Sequence, residues 1–320
     1  MKHVRLVGAV LFALSCSALA QGYPDKSKVF RIVVPFGAGS GTDLLARALA
    51  RGMGEVAGLN AIVENKPGAE SVIGMMAAKT APADGYTILM ANISTQVLNP
   101  LVLPQLPYDP VADFVPLAGI VKYSMVLNAG STLSFKSLRE FVDAARASPG
   151  KYTYASATSA TRLAMEVFER QANVKLVQVP YKSMAEATTG LMGGQVDLLM
   201  NDVATVVNAY KTGKLRALAT TGVARNPALP NVPTLREEGV ADYDVTIWVA
   251  TYLAAKTPAD MVTTMRDILV KAAKTRTMVE ARAVASFEPL DLAGEQLAEL
   301  QRVDSEKWKK VLGGAATATR

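Results

Sequence analysis

The fold is decided by residues 33–43, which read VVPFGAGSGTD. An apolar run that ends at Val34 predicts a strand, and the glycines after it predict a tight loop. Ser40 or Thr42 can then cap a helix whose first turn carries Asp43. Such a junction directs unpaired backbone N–H groups and the positive end of a helix dipole toward one point, which suits a carboxylate or a phosphate. The stretch therefore predicts an anion-binding loop, with a merely tight strand-to-helix turn as the alternative.

The same alternation of strand and helix continues along the chain and predicts an α/β protein. A Pro-rich connection over residues 100–116 divides it, and the alternation restarts near Met125. The length of 320 residues is about twice that of an average domain, so two lobes are expected. Strands are predicted at residues 29–34, 61–64, 86–91, 125–129, 152–156, 176–179, 196–200, 215–220 and 245–254, with helices beginning near Ser137, Thr161, Ser183 and Val203 and a helical tail.

Three known nucleotide or nucleophile motifs fail at the glycine loop. The dinucleotide fingerprint needs a third glycine where Thr42 stands, although Glu64 after the next strand imitates the ribose-binding acid. No Gly-Lys-Ser/Thr follows, so the loop is not a P-loop. Ala38 replaces the first glycine that a nucleophile elbow at Ser40 would need. A nicotinamide-dependent oxidoreductase stays an alternative only on the strength of the loop and Glu64.

The N-terminus has the pattern of a secretory signal peptide. Basic residues at Lys2 and Arg5 precede an apolar run over residues 6–14, and Ala-Leu-Ala ends at Ala20, after which we expect cleavage. Lipidation at Cys16 is the alternative. This cysteine and His3 are the one Cys and the one His of the chain. The exported protein would therefore contain no Ser-His-Asp or Cys-His machinery, no disulfide and no zinc site of the usual kinds, so no catalytic residue or metal ligand is assigned.

Charge excludes one further class of partner. The 34 basic and 28 acidic residues give a net charge of +6. The basic residues are scattered along the chain, and no basic stripe with interleaved aromatic residues is present, so nucleic-acid binding is not expected.

Polar residues follow several other predicted strands. Open α/β sheets bind ligands at the carboxyl ends of their strands, so these residues are candidates for the same site. Arg162 is placed by the pattern in the first turn of a helix, where a cation opposes the dipole, and this position favours a role in ligand binding. The group consists of Ser94, Thr95, Ser156, Ala157, Thr158, Arg162, Asn201 and Asp202.

The chain resembles the Bug-type periplasmic receptors of tripartite tricarboxylate transporters, which are also called TctC-like proteins. The resemblance extends from Tyr23 to the C-terminal helix and rests on motifs that occur in the family's order. These are the glycine loop with Asp43 and the sequences ENKPG (64–68), ADGYT (83–87), LPYDP (106–110), VPYK (179–182), GGQVD (193–197), KTGKLRAL (211–218) and LPNVPT (229–234).

This resemblance implies a type II, Venus-flytrap binding protein with two lobes, each a mostly parallel sheet flanked by helices. Lobe 1 would comprise residues 21–124 and 247–320, lobe 2 residues 125–246, and the hinge strands would lie near residues 121–125 and 243–247. The family's ligand carboxylate is held mainly by backbone groups and bridging waters at the loop of residues 36–42. The partners implied are a small carboxylate and membrane permease subunits. We expect a periplasmic monomer that is not an enzyme and has no cofactor.

The chain departs from the family's usual pattern in the regions that determine specificity. Gly37 stands where Pro is usual, Ser40 where Gly is usual, residues 69–71 are Ala-Glu-Ser in place of a glycine-rich stretch, and Arg162 stands where His is frequent. The ligand could thus be an aliphatic di- or tricarboxylate or an aromatic acid, and Arg162 is the candidate for a distal carboxylate. A receptor that feeds a sensor kinase is a further alternative. From the glycine loop, the predicted ligand-binding residues are Phe36, Gly37, Ala38, Gly39, Ser40, Thr42 and Asp43.

Overall fold

The computed structural model describes residues 22–317 except 136 and 242. The predicted signal peptide, with His3 and Cys16, lies outside these residues. The strands are β1 (Val29–Val34), β2 (Asn60–Asn65), β3 (Thr87–Asn92), β4 (Phe114–Ser124), β5 (Val126–Gly130), β6 (Thr153–Ser156), β7 (Val177–Pro180), β8 (Leu198–Asn201), β9 (Leu215–Thr220), β10 (Thr246–Ala254) and β11 (Glu288–Pro289). The helices are α1 (Gly41–Ala57), α2 (Val72–Lys79), α3 (Asn99–Val102), α4 (Leu138–Ala147), α5 (Ser159–Ala172), α6 (Met184–Met192), α7 (Val203–Lys211), α8 (Ala259–Ala272), α9 (Arg276–Ala285) and α10 (Glu295–Thr317).

The strands form two sheets. The first sheet has the order β11-β4-β10-β3-β1-β2, and the second sheet has the order β7-β6-β8-β5-β9. In the first, β1 to β4 run in one direction while β10 and β11 run against them. In the second, only β5 runs against the other four. The chain therefore has the predicted two-lobe α/β architecture with sheets in which most strands share a direction.

Burial explains why the central strands form where they do. All six residues of β3 are buried, as expected for a strand that is covered by helices on both faces. Helix α1 buries one face against the first sheet, with Leu45, Leu49 and Met53 at 1% exposure or less. It ends at Gly58, whose φ of 66° is the left-handed conformation that terminates helices at low cost.

Two chain segments connect the sheets. Strand β4 ends at Ser124 in the first sheet and β5 begins at Val126 in the second, while the return segment runs from the end of β9 to the start of β10. Thr221 bonds to both connections. Its Oγ1 accepts from the Met125 amide at 2.8 Å and donates to the Val245 carbonyl at 2.7 Å, and its own amide donates to Met125 O.

The sequence-based prediction missed β4 for most of its length. We expected a Pro-rich connection as far as Pro116, yet an eleven-residue strand begins at Phe114. Proline cannot donate a ladder hydrogen bond, so it argues against a central strand. Pro116 is accommodated because the register with β10 shifts between Thr251 and Tyr252, the residue opposite it. The short strand β11, which interrupts the predicted helical tail, was missed as well.

No helix within residues 22–317, leaving aside 136 and 242, has both the length and the apolar character required to cross a bilayer.

Candidate functional site

A cavity of about 670 Å³, including the space at its mouth, lies between the carboxyl ends of strands from both sheets. We call it the cleft cavity. Its volume falls within the range of small-molecule sites. The residues that line it are Pro35, Phe36, Gly37, Ser40, Gly41, Thr42, Pro67, Gly68, Ser71, Asn92, Tyr123, Met125, Ala157, Thr158, Ala160, Thr161, Lys182, Ser183, Met184, Ala185, Asn201, Asp202 and Ile247.

Five helices begin at this cavity, and the N-cap residue of each one lines it. The N-caps are Ser40 of α1, Ser71 of α2, Thr158 of α5, Ser183 of α6 and Asp202 of α7. The first turn of a helix has N–H groups without intrahelical partners, and its dipole adds positive potential. The five helix starts thus direct positive potential from backbone groups toward the cavity, an arrangement that suits an anion.

The glycine loop adopts the predicted strand-to-helix turn, and its side chains hold it in place. Ser40 Oγ accepts from the Asp43 amide at 3.3 Å, and Asp43 Oδ2 accepts from the Gly39 amide at 2.9 Å. Asp43 is 2% exposed and also pairs with Arg47, so its carboxylate is committed to the loop. Phe36, Gly37, Ser40 and Thr42 line the cavity, whereas Gly39 and Asp43 do not.

The loop before α2 is the second backbone-rich wall. Ala69, Glu70 and Ser71 have φ values of 48°, 49° and 74°, a left-handed run that side chains other than glycine adopt at a cost. Asn99 Nδ2 supports this loop by donating to the Glu70 carbonyl at 2.8 Å. Ser71 is 3% exposed, makes no capping bond to α2 and lines the cavity.

The opposite wall begins at α5, two residues before the predicted start. Thr158 forms a capping box with Thr161, and both line the cavity with Ala157. Ser156 does not line it, because its Oγ accepts from Gln178 Nε2 at 2.8 Å beneath the loop. The earlier start moves Arg162 out of the position we expected for it.

Asp202 is the one acidic residue among the described residues that line the cavity. Its Oδ1 accepts from the Thr205 amide at 3.0 Å, and its Oδ2 would lie 3.1 Å from a Cβ at Gly41 of the other lobe. Burial raises the pKa of this carboxyl, while hydrogen bonds from Thr205 and from the Gly41 amide lower it. Asn201 beside it donates to Thr188 Oγ1 and accepts from the Asp202 amide. Asp202 therefore contacts the start of α1 as well as capping α7.

Ser94 and Thr95 lie behind the cavity, in a π-helical turn at residues 94–98. Both are fully buried, and neither lines the cavity. Ser94 instead contacts the opposite lobe, where its carbonyl accepts from Ser159 Oγ at 3.3 Å. Asn92, which precedes them at the end of β3, lines the cavity.

Arg162 also lies outside the cavity lining. Its Nε is 3.6 Å from Glu70 Oε1 in the other lobe, and its Nη1 is 3.1 Å from Glu166 Oε1 one turn further along α5. The structure thus commits this guanidinium to two carboxylates of the protein. The prediction that Arg162 binds a distal ligand carboxylate has no support in this geometry.

Of the predicted residues, the structure brings eight together in the cleft cavity. Ala38 lines an adjoining cavity of about 960 Å³ at the mouth, which we call the outer cavity. The list of predicted site residues lacked those from 67–71 and 182–185, although the serine before each helix was a readable N-cap signal. It also lacked Tyr123, Met125 and Ile247, which lie where β4 and β10 meet the connections between the sheets. The eight are Phe36, Gly37, Ser40, Thr42, Ala157, Thr158, Asn201 and Asp202.

Glu64, the candidate ribose-binding acid, does not line the cavity. Arg31 on the neighbouring strand binds it through two hydrogen bonds of 2.6 and 2.8 Å. This pair also lowers the pKa of the Glu64 carboxyl. The dinucleotide alternative therefore loses the acid on which it depended. Among the described residues no cluster of three or more His, Cys, Asp or Glu could hold a metal ion.

Comparisons with known proteins agree with this architecture. The protein BugT of Bordetella pertussis is 28% identical over 320 residues, covering 98% of each chain. The solved periplasmic binding protein BugD has a TM-score of 0.85 at 28% identity, covering 90% of this chain and 97% of its own. An R. palustris protein solved with adipate has a TM-score of 0.86 at 28% identity, covering 92% and 99%. MatC of Rhodopseudomonas palustris, solved with bound malate, has a TM-score of 0.83 at 25% identity, covering 88% and 98%.

The family model described as the tripartite tricarboxylate transporter family receptor, TctC, matches residues 45–315, which is most of the chain. The matched segment includes both sheets apart from β1, and four of the five helices that begin at the cleft cavity lie wholly within it. The chain therefore belongs to the TctC family of receptors, as the resemblance in its motifs indicated.

Proposed function

We propose that this protein is an extracytoplasmic solute-binding receptor that captures a small organic carboxylate for a tripartite tricarboxylate transporter. The observation that carries the proposal is the convergence of five helix N-caps on one cavity between two lobes. A carboxylate accepts up to four hydrogen bonds, and unpaired N–H groups of first turns are suitable donors.

The ligand-binding residues we propose are those of the cleft cavity. Ser40, Thr42, Thr158 and Ser183 present hydroxyl groups beside first-turn amides, and Phe36 and Tyr123 provide apolar walls. Ser71 adds a hydroxyl next to the amides of α2, which no side chain caps. These groups can hold a carboxylate without an arginine, because the dipoles of several helices act on it together.

Two relatives support the class of ligand. The R. palustris protein solved with adipate and MatC solved with malate have nearly the same fold as this chain, and both ligands are aliphatic dicarboxylates. We extend this class to the present cavity, which is lined by small and hydroxyl-bearing residues.

The mechanism we propose is closure of two lobes about the hinge. Residues 21–124 and 247–320 form one lobe and residues 125–246 the other, with movement at Met125 and at the segment before Thr246. A ligand that contacts the N-caps of both lobes favours the closed form, because those contacts exist together only there.

The setting we propose is the periplasm. Cleavage of the signal peptide after Ala20 would release the mature receptor, and BugD is a periplasmic protein of the same fold. The receptor would act as a monomer, would need no cofactor and would deliver its ligand to membrane permease subunits, the partners that the family's description implies.

Ligand binding can be tested by a thermal-shift screen of unfolded and refolded mature protein, since refolding removes any ligand acquired during expression. The screen contains aliphatic mono-, di- and tricarboxylates, aromatic carboxylates and amino acids, with NADH as the probe for the oxidoreductase alternative. A ligand at about 100 times its Kd stabilises the folded state by ~2.7 kcal/mol. We expect a shift with a carboxylate and none with NADH. Silence from every acid would contradict the proposal.

A further inference from the structure

Lys182 is the one cation among the described residues that line the cleft cavity. It is exposed, it lies in the segment between β7 and α6, and none of the ion pairs of the described residues includes it. The remaining lining residues are neutral apart from Asp202. A ligand group that enters this cavity therefore meets one exposed positive charge in addition to the helix N-termini.

The position of Lys182 is the mouth of the site. It lines both the cleft cavity and the outer cavity, whose other walls come from residues 37–38, residues 67–69 and Ile73 of one lobe and from Ser183 and Glu186 of the other. The neighbouring Ser183 faces the opposite lobe. Its Cβ is 3.1 Å from the position that a Cβ would occupy at Gly37. Lys182 thus lies where the two lobes come together at the mouth of the cleft cavity.

Local structure gives no reason for a cation at this place. Lys182 immediately precedes Ser183, the N-cap of α6, so its charge lies at the positive end of that helix dipole. Within the part of the chain that the structure describes, its exposed ammonium group forms no ion pair that would offset this repulsion. A negative group of a bound ligand would offset it.

Arg162, the other candidate for a distal anion, is already occupied. Its guanidinium pairs with Glu70 and Glu166 and lies outside the cavity lining. Lys182 therefore remains as the cation that a ligand can reach without breaking an ion pair.

We propose that Lys182 determines a preference for dicarboxylates over monocarboxylates, by binding the second carboxylate at the mouth while the first one occupies the helix N-termini. This inference rests on the proposed function and adds to it the number of carboxylates that the preferred ligand carries. Glu186, the acidic residue of the outer cavity, acts against the same carboxylate. The balance of these two residues sets the size of the preference.

The test compares acids that differ only in the second carboxylate. Succinate, glutarate and adipate are titrated by calorimetry against butyrate, pentanoate and hexanoate, using the refolded mature chain. The variants are Lys182→Met, which removes the charge, Lys182→Arg, which keeps it, and Glu186→Gln. Lys214→Met is the matched control, since Lys214 is an exposed lysine of the same lobe that does not line either cavity.

We expect the wild-type protein to prefer at least one dicarboxylate to its partner by about fivefold or more, as for a partly exposed charge-assisted contact. Lys182→Met should abolish the preference by weakening dicarboxylate binding alone, Lys182→Arg should restore it, and Glu186→Gln should increase it. Lys214→Met should leave it unchanged. An unaltered preference in Lys182→Met, or equal binding of both acids by the wild-type protein, would overturn the Lys182 assignment while leaving the receptor function intact. Binding of none of the six acids would also overturn the Lys182 assignment, whereas only silence from every acid of the thermal-shift screen would contradict the receptor function.

Discussion

Arg162 Nε lies 3.6 Å from Glu70 Oε1, and the two residues belong to different lobes. The pair is partly buried, with side chains 18% and 33% exposed. The pair connects α5 to the loop of residues 69–71, which has three consecutive left-handed residues. Asn99 also binds this loop, by donating to the Glu70 carbonyl. Ser159, on the same side of α5, donates to Asn99 Oδ1 at 2.6 Å. The lobes are thus joined by a polar contact that does not involve the cavity.

The Arg162–Glu70 pair should strengthen binding of every ligand by the same factor, because it stabilises the closed form. We expect Arg162→Gln and Glu70→Gln to weaken adipate and hexanoate alike, by about three- to fivefold for a partly buried pair. Calorimetry of both acids measures this. Glu166→Gln, which removes only the pair within α5, is the control and should have little effect. A loss confined to adipate would restore Arg162 as the ligand's distal cation.

Gly37 should be required for full closure, because a Cβ there would lie 3.1 Å from Ser183 Cβ. We expect Gly37→Ala to weaken carboxylate binding about fivefold, since overpacking of such a contact costs ~1 kcal/mol. The affinity of the best ligand from the screen measures this effect. Gly54→Ala is the matched control, because its Cβ would meet its nearest neighbour at an ordinary 3.6 Å. Equal affinities in wild type and Gly37→Ala would show that this approach does not limit closure.

The left-handed conformation of the loop before α2 should lower the stability of the fold while placing a ligand-binding hydroxyl in the cavity. Ser71→Gly removes the cost of a φ of 74° but also removes a hydroxyl from the cavity. We expect the free energy of unfolding of the variant, measured by urea denaturation, to rise by ~0.5 to 1 kcal/mol. We also expect the variant to bind its ligand more weakly. Ala69→Gly should gain stability in the same way without loss of affinity. If Ser71→Gly bound as tightly as wild type, the hydroxyl would have no role in the site.

Asp202 should make stability depend on pH in the acid range. Burial raises the pKa of this carboxyl above its ordinary value of 3.8, so the folded protein holds the proton more tightly than the unfolded chain does. The free energy of unfolding should therefore fall as pH rises from about 4 through the folded-state pKa. Asp202→Asn keeps the N-cap of α7 and lacks this titration.

The check is urea denaturation of both proteins at pH 4 to 7 without ligand. The difference in unfolding free energy, Asp202→Asn minus wild type, should increase with pH over that window. The raised pKa values of Glu169 and Asp304 act in the same direction but are present in both proteins, so they cancel. A difference that stays constant with pH would contradict the prediction.

Sequence patterns located the strand-to-helix junctions more reliably than the side chains that face the ligand. The glycine loop and the Asn201–Asp202 turn were predicted correctly because an apolar strand followed by a capping residue is a local signal. Arg162 was placed in the first turn because the predicted start of α5 was two residues too late. Since side chains of successive helical residues differ in direction by about 100°, such an error changes which way a side chain is expected to point. Lys182 carried no local signal, since its position depends on how the two lobes meet.

The missed part of the fold has a similar cause. Strand β4 contains Pro116, which lies where the register with β10 shifts. That register is set by residues more than a hundred positions later in the chain. Long-range pairing of this kind cannot be inferred from composition or periodicity within one window.

The two connections between the sheets share one hydroxyl, that of Thr221, which is fully buried. A joint made of two independent strands could bend, twist and slide, and each lobe would then sample many relative orientations. Because both connections bond to the same atom, we expect them to deform together, which would restrict the relative motion of the lobes. Wall residues that lie away from Met125 and from the close approach at Gly37 could then be exchanged without altering the proposed closure. New ligand specificities would become accessible by changes at residues such as Lys182, which lies outside both connections.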